Sequence, residues 1–456
     1  MNLSLTNGLI PITLQLLALI TIAVAIGRGR SREWMGRWLL AAVLVGVGLA
    51  PAARLFVRDQ GWSADAISFG TIFWTAMFGF AATVLIGGWH GSAWWRRSVS
   101  VLAVVLMVVC GLAALNTATG YFPTVRAAWL RLTQSEPDQW IDESELAALA
   151  QSGEIPTRGT VVRVDIPADA SGFAHRTEVV YLPPAWFSSN PPPQLPAVIL
   201  MGGEFNHPND WLQSTGTLQT LDEFAALHHG NAPVIVFPDI AGKFSNDTEC
   251  VDGTRGNAAS HLTKDLVPYL ISRFGVSPKA ENWGLAGWSS GATCALNTAV
   301  RNPEMFSAFV WLDGTLGPNA GTKDQTIARL FGGDRTAWEA FDPKTVITRH
   351  GPYDTMAAWL GVGESTPTVH RDPTTTPPSE EAIAGWDTFS EAHASNANKL
   401  CALLSGYNVE CSVVGYHGGH DFQAASTAFD AALPWLAWRL GTPNVRERTL
   451  PGSDGK

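Results

Sequence analysis

The sequence predicts a chain of two parts: an all-α region of four transmembrane helices, then an α/β domain whose mostly parallel sheet carries helices on both faces. Three observations predict it. Four long apolar runs fill the first 120 of the 456 residues. Beyond residue 159, near-continuous apolar runs of strand length alternate with stretches of helical spacing. Almost all acidic residues lie after residue 130, so the formal net charge of −10 belongs to the second part. An acidic domain without a basic block argues against a nucleic-acid partner.

The apolar runs cover 8–26, 38 to about 57, 67–88 and 98 to about 119, each close to the length that crosses a bilayer. The first is not expected to be a cleaved signal peptide, because no basic residue precedes it and Arg28, Arg30 and Arg32 follow it. The loop 27–37 carries four arginines and the loop 89–97 carries Arg96 and Arg97, while the loop near Arg58 and Asp59 is almost neutral. The positive-inside rule puts both Arg-rich loops in the cytoplasm, and four spans then put everything after about residue 120 outside. Few polar residues interrupt the spans, which argues for an anchor and against a transporter.

Cysteine usage agrees. Cys110 lies in the fourth span, and Cys250, Cys294, Cys401 and Cys411 lie in the part placed outside, where disulfides persist. Of the three possible pairings, Cys401 with Cys411 and Cys250 with Cys294 is favoured, because each pair joins segments that the fold makes neighbours. The expected divisions are a four-span anchor over 1–120, a juxtamembrane connector with helical stretches over 121–158, the α/β domain over 159–442, and a tail over 443–456.

Within the α/β domain, TVVRVDIP and RTEVVYLPPAW alternate as half-buried strands. LPAVILMGG and APVIVFPD read as central strands covered on both faces. Between them, 211–227 has helical spacing. HLTKDLVPYLISRF is amphipathic, with apolar residues at 262, 266, 267, 270 and 271. Next come the strand NWGLAGWS, the helix ATCALNTAV and the strand FSAFVWLDG. Further strands are expected at 356–363 and 409–416, with helices around 386–405 and 421–440. The Thr/Pro-rich stretch 365–379 reads as loop.

In such a sheet, reactive groups belong at the carboxyl ends of strands. Ser289 stands there in the frame Gly287-Trp288-Ser289-Ser290-Gly291. A sharp strand-to-helix turn strains the serine backbone, and side chains at the flanking glycines would collide with the neighbouring strand and helix. The turn exposes the hydroxyl and puts the next N–H groups at a helix N-terminus, where developing negative charge is favoured. The base is expected on the loop Gly415-Tyr416-His417-Gly418-Gly419-His420-Asp421-Phe422: His420 first, His417 second. The other histidines, His393 among them, read as surface or core. For the orienting carboxylate, Glu364 closes the strand at 356–363 and is favoured. Asp387 and Asp372 follow it, and Asp313, at the end of FSAFVWLDG, is a further candidate. Oxyanion donors are expected from the Ser290 amide and from the Gly203 or Glu204 amide in Met201-Gly202-Gly203-Glu204. No H-E-x-x-H or Cys/His cluster points to a metal, and no cofactor is expected.

These residues resemble those of the esterase D and antigen 85 group of α/β-hydrolases, with GWSSG as nucleophile elbow and GGHDF as histidine loop. The likeness is to membrane-anchored actinobacterial members in particular, through DTECVDGTRGN (247–257), LTKDLVPYL and NPEMFSAFVWLDG. The resemblance implies an α/β-hydrolase fold over about 160–440, Ser289 as nucleophile and His420 as base. Related mycolyltransferases move a fatty acyl group onto a sugar. This chain departs from those secreted enzymes in its four spans and in the residues directly after the serine. The expected function is that of an extracytoplasmic serine esterase or acyltransferase, tethered to the membrane and acting on lipid or glycolipid acyl esters. Mycolyl-type transfer to a sugar, or a catalytically silent module binding glycan or a partner, are the alternatives.

Overall fold

The computed structural model describes residues 3–27, 30–60, 67–90, 92–133, 140–363, 366–386 and 392–453. The chain divides into two compact units, Met1–Ser135 and Glu136–Lys456.

The first unit holds α1 (Leu9–Ile26), α2 (Arg32–Gln60), α3 (Phe69–Gly88) and α4 (Trp94–Thr119), each long and apolar enough to cross a membrane. Helix α1 packs against α4, α4 against α3, and α3 against α2. Small residues let them approach: a Cβ on Gly46 would lie 2.6 Å from the Ala76 carbonyl oxygen. The outward faces are apolar, with Leu44, Val47 and Leu112 exposed by 64 %, 67 % and 61 %. Helices α2 and α4 begin before their apolar runs do. Ser31 caps α2, its hydroxyl accepting from the Trp34 N–H at 3.1 Å, so the helix starts among the arginines.

The second unit is built on a ten-stranded sheet in the order β1 (Trp140–Asp142), β2 (Thr160–Val164), β3 (Glu178–Leu182), β5 (Val234–Phe237), β4 (Ala197–Met201), β8 (Trp283–Trp288), β9 (Ala308–Leu312), β10 (Ala357–Val362), β12 (Glu410–Gly415) and β11 (Val369–Arg371). A two-residue hairpin, β6 (Asp252–Gly253) with β7 (Gly256–Asn257), stands apart. Only β3 and β11 run against their neighbours. The central strands β4, β5, β8, β9 and β10 are parallel and buried along their whole length, which is why they read as unbroken apolar runs. The helices that matter for the site are α5 (Thr217–Leu227), α6 (258–274, with a π-helical stretch His261–Leu266), α7 (Ser290–Arg301), α8 (His393–Ser405) and α9 (Phe422–Arg439). This is the mostly parallel, helix-covered architecture of an α/β-hydrolase.

Two expectations are corrected. The stretch 121–158 is not all connector: β1 pairs in parallel with β2, and Trp140 and Leu146 are buried. The stretch 365–379 is not all loop, since β11 closes the far edge of the sheet against β12. Both strands are three residues long, too short for a period-two pattern to register. Both expected disulfides are present, Cys250–Cys294 and Cys401–Cys411.

Candidate active site

The site forms where β4, β8, β9, β10 and β12 end. Strand β8 stops at Trp288, and Ser289 takes φ 57° and ψ −122° before α7 begins at Ser290. A β-carbon residue rarely accepts a positive φ, so the surroundings must over-determine it. They do. The Ser289 N–H donates to the Leu312 carbonyl at 2.9 Å, and the Ser289 carbonyl accepts the Ala292 and Thr293 N–H groups at 3.0 and 3.1 Å. The flanking glycines are steric necessities. A Cβ on Gly287 would sit 2.1 Å from the Gly291 carbonyl oxygen, and one on Gly291 would sit 2.3 Å from that of Gly202.

His420 comes from the loop between β12 and α9. Asp421 next to it caps α9 by accepting from the Gln423 and Ala424 N–H groups, which fixes where the loop ends. The His420 Nε2 lies 3.0 Å from the Ser289 Oγ. The imidazole packs against the tilted Trp288 ring (centroids 5.0 Å apart) and against the His393 ring, which is stacked at 4.6 Å and 8°. His417 is exposed.

Among the described residues, the carboxylate facing the imidazole's other nitrogen is Asp313, whose Oδ2 lies 3.8 Å from the His420 Nδ1. That is an ion-pair distance, longer than a hydrogen bond. Asp313 is 1 % exposed and has φ 49°. Its Oδ1 accepts the Gly363 N–H at 2.9 Å, and its Oδ2 accepts the Tyr416 hydroxyl. Burial, and then the Asp313 charge, push the Tyr416 hydroxyl far above its ordinary pKa, so it stays a donor. Glu364 and Asp387 lie outside the described residues. Asp372 stands by the edge strand β11, with its Oδ1 3.4 Å from the His370 Nε2.

The expected oxyanion donors are adjacent to the serine. Gly203 lies so close that a Cβ there would be 3.3 Å from the Ser289 Cβ. Ser290, Gly203, Glu204, Phe205, Ile240 and Glu249 line one cleft. Glu249 is held well above the usual carboxylate range by burial and by the neighbouring Asp247.

One ion pair that sequence reasoning missed steadies two walls of this cleft. Arg176 donates to Asp239 from its Nε (2.9 Å), one guanidinium nitrogen (2.6 Å) and its own backbone N–H (2.7 Å). The same guanidinium nitrogen donates to the Asn206 carbonyl at 3.0 Å, and the Asn206 N–H reaches the Gly203 carbonyl at 3.3 Å. Asp239 also accepts the Ala241 and Gly242 N–H groups. Burial opposes the Asp239 charge, but Arg176 outweighs it and holds the carboxyl below its ordinary pKa. Behind it, Glu178 accepts the Asp239 N–H and faces His261 at 3.1 Å, and the other His261 nitrogen faces Asp265 at 3.3 Å. The available signal was positional only: Asp239 stands two residues past a central strand.

Two clusters, His175 with Glu178 and His261, and Asp313 with His393 and His420, bring metal-type ligand atoms within 4.8 Å of one another. In both, the imidazoles are stacked, at 24° and 8°. Ring lone pairs in near-parallel planes do not converge on one ion, so neither is a chelating arrangement.

The profile of the Esterase family matches residues 174–436, more than half of the chain. The chain belongs to the Esterase family. A relative of this esterase, an uncharacterized protein of Corynebacterium glutamicum, is 30 % identical over 301 residues, which cover 66 % of this chain and 64 % of that protein. The esterase thus spans less than two thirds of that relative's length. Among solved structures it is similar to a ferulic acid esterase (16 % identity, 62 % of this chain and 99 % of that one, TM-score 0.46). It is similar also to an S-formylglutathione hydrolase from Agrobacterium tumefaciens (18 %, 63 % and 98 %, 0.45) and to MPT51 (FbpC1) of Mycobacterium tuberculosis (16 %, 62 % and 98 %, 0.40).

Proposed function

We propose that this esterase is a membrane-anchored, extracytoplasmic enzyme that cleaves or transfers acyl groups of cell-envelope lipid or glycolipid esters through Ser289 and His420. The observation that carries the reading is the 3.0 Å approach of the His420 Nε2 to the Ser289 Oγ. As Oγ attacks the ester carbonyl, Nε2 takes its proton. The oxyanion meets the Ser290 amide and the Gly203 or Glu204 amide. Collapse returns the proton to the departing alcohol and leaves an acyl-enzyme, which water or an acceptor alcohol discharges by the reverse path. Hydrolysis and transfer to a sugar differ only in that acceptor. A buried carboxylate behind Nδ1 holds the imidazole's tautomer and steadies its charged form. Asp313 supplies it by position, and Glu364, one residue past Gly363, is its rival. Four apolar helices and two disulfides in the other unit support the placement of the site beyond the membrane.

The test uses short nitrophenyl esters and a fluorophosphonate probe on the full chain in detergent. Turnover should fall on the order of 10,000-fold or more in Ser289→Ala, and the labelled peptide should contain Ser289. Undiminished turnover in that variant would sink the proposal.

A further inference from the structure

The end of the four-helix unit formed by the loops 27–37 and 89–97 carries six arginines and one acidic residue, Glu33. The guanidinium groups of Arg30 and Arg96 are drawn in between the helix ends. That of Arg30 occupies the space a Cβ on Gly88 would need, 2.7 Å away, and that of Arg96 lies 3.1 Å from a Cβ placed on Gly27. Arg30 lies over the Trp34 ring at 4.1 Å and Arg97 over the Trp89 ring at 5.5 Å. Trp34 is itself fixed, its indole N–H donating to the Gly87 carbonyl at 2.8 Å. The Nε atoms of Arg30 and Arg97 are buried and have no hydrogen-bond partner.

Such convergence is electrostatically uphill. Burial, and then the charge of Arg96, lower the Arg30 pKa. Arg96 and Arg97 also sit in the first turn of α4, a 26-residue helix with no acidic residue there and no side-chain cap on its N-terminus. Two cations at the positive end of a long helix repel both the dipole and one another. An anion between them offsets the repulsion among the cations and their repulsion from the helix dipole. Planar guanidinium forks are suited to phosphate oxygens. Just beyond the arginines, Leu40, Ile86, Val101 and Leu102 are exposed by 59 %, 66 %, 43 % and 48 %, an apolar surface for chains attached to that phosphate.

We infer that Arg30, Arg96 and Arg97 form a binding site for the phosphate of an anionic phospholipid. The inference rests on the reading of α1–α4 as membrane spans. Basic pockets between spans on the cytoplasmic side suit such headgroups.

The test is a native mass-spectrometry titration of the full chain in neutral detergent with phosphatidylglycerol, and separately with phosphatidylcholine. The wild-type chain should retain phosphatidylglycerol selectively. Arg30→Gln combined with Arg96→Gln should weaken retention on the order of tenfold or more, and Arg158→Gln should not. Should the double variant fail to fold, a photoreactive phosphatidylglycerol on the wild-type chain should cross-link within 27–37 or 89–97. Equal retention of both lipids, or cross-links only elsewhere, overturns the inference. So does full competition by millimolar inorganic phosphate, which would make it a site for free phosphate. Carbonate extraction separates the two readings: a chain that stays in the membrane without lipid selectivity leaves the anchor standing, and one that is released removes both.

Discussion

The two units put the same apolar side chains to opposite use. In Leu9–Thr119 many of the large ones point outward, and small residues meet inside, Ala18, Ala42, Ala81 and Ala103 being almost wholly buried beside a few large ones such as Trp74 and Met107. In the sheet unit the large ones are inside, with Trp211, Trp283, Trp311 and Phe309 at or below 2 % exposure. If α1–α4 cross a membrane, as proposed, the difference lies in the solvent each face meets. Hydrocarbon gives no reason to bury a leucine, so close backbone contact holds the first unit. Water supplies that reason in the second, and there the polar groups of the candidate site cluster at strand ends.

If that division holds, substitutions at strand ends of the second unit stop turnover and substitutions in the first do not. The largest effect expected among the carboxylates comes from Asp313→Asn, a loss in kcat on the order of 1,000-fold with folding intact. Glu364→Gln should cost far less. The opposite ranking would transfer the role to Glu364, and steady-state kinetics of the two variants decide it.

Glycines sharpen the comparison on the stability scale. Gly291→Ala drives a Cβ into the Gly202 carbonyl and should destabilise the second unit by roughly 3 kcal/mol or more. Gly48→Ala in α2 meets nothing within 4 Å and should change stability by no more than about 1 kcal/mol. Thermal melts of the two variants side by side would break the comparison if both proved equally mild.

The smallest effect concerns pH. Burial opposes charge on His261, but Glu178 and then Asp265 outweigh it and raise its pKa above the ordinary value. Its contribution to stability is therefore complete below the unfolded pKa of about 6.5 and fades as pH rises through the folded one. The melting temperature of the wild type should decline over that rise, and the decline should be shallower in His261→Gln. An identical slope in both would show that His261 is not the group responsible.

The fold was legible because the central strands are buried on both faces and bounded by turns, and the spans because their apolar runs match a bilayer. The sharp turn at Ser289 was legible because glycine spacing carries steric information: a Cβ on Gly287 or Gly291 would come within 2.1 Å or 2.3 Å of a carbonyl oxygen. The acid was not. FVWLDG and WLGVGE each end a strand with a carboxylate, and β9 and β10 are parallel neighbours, so their ends lie side by side. Sequence cannot rank two carboxylates that stand just past neighbouring strands. The stacking of His393 on His420, and the Arg176–Asp239 pair, depend on residues far apart in the chain with no local pattern to announce them.

The Cys250–Cys294 bond joins a wall of the cleft to the helix that starts beside Ser289. Such a bond persists only where thiols are kept oxidised. A copy stranded on the reducing face of a membrane would own the serine and the imidazole but lack the strap between them. On the placement proposed above, a misrouted molecule would announce itself by its free thiols.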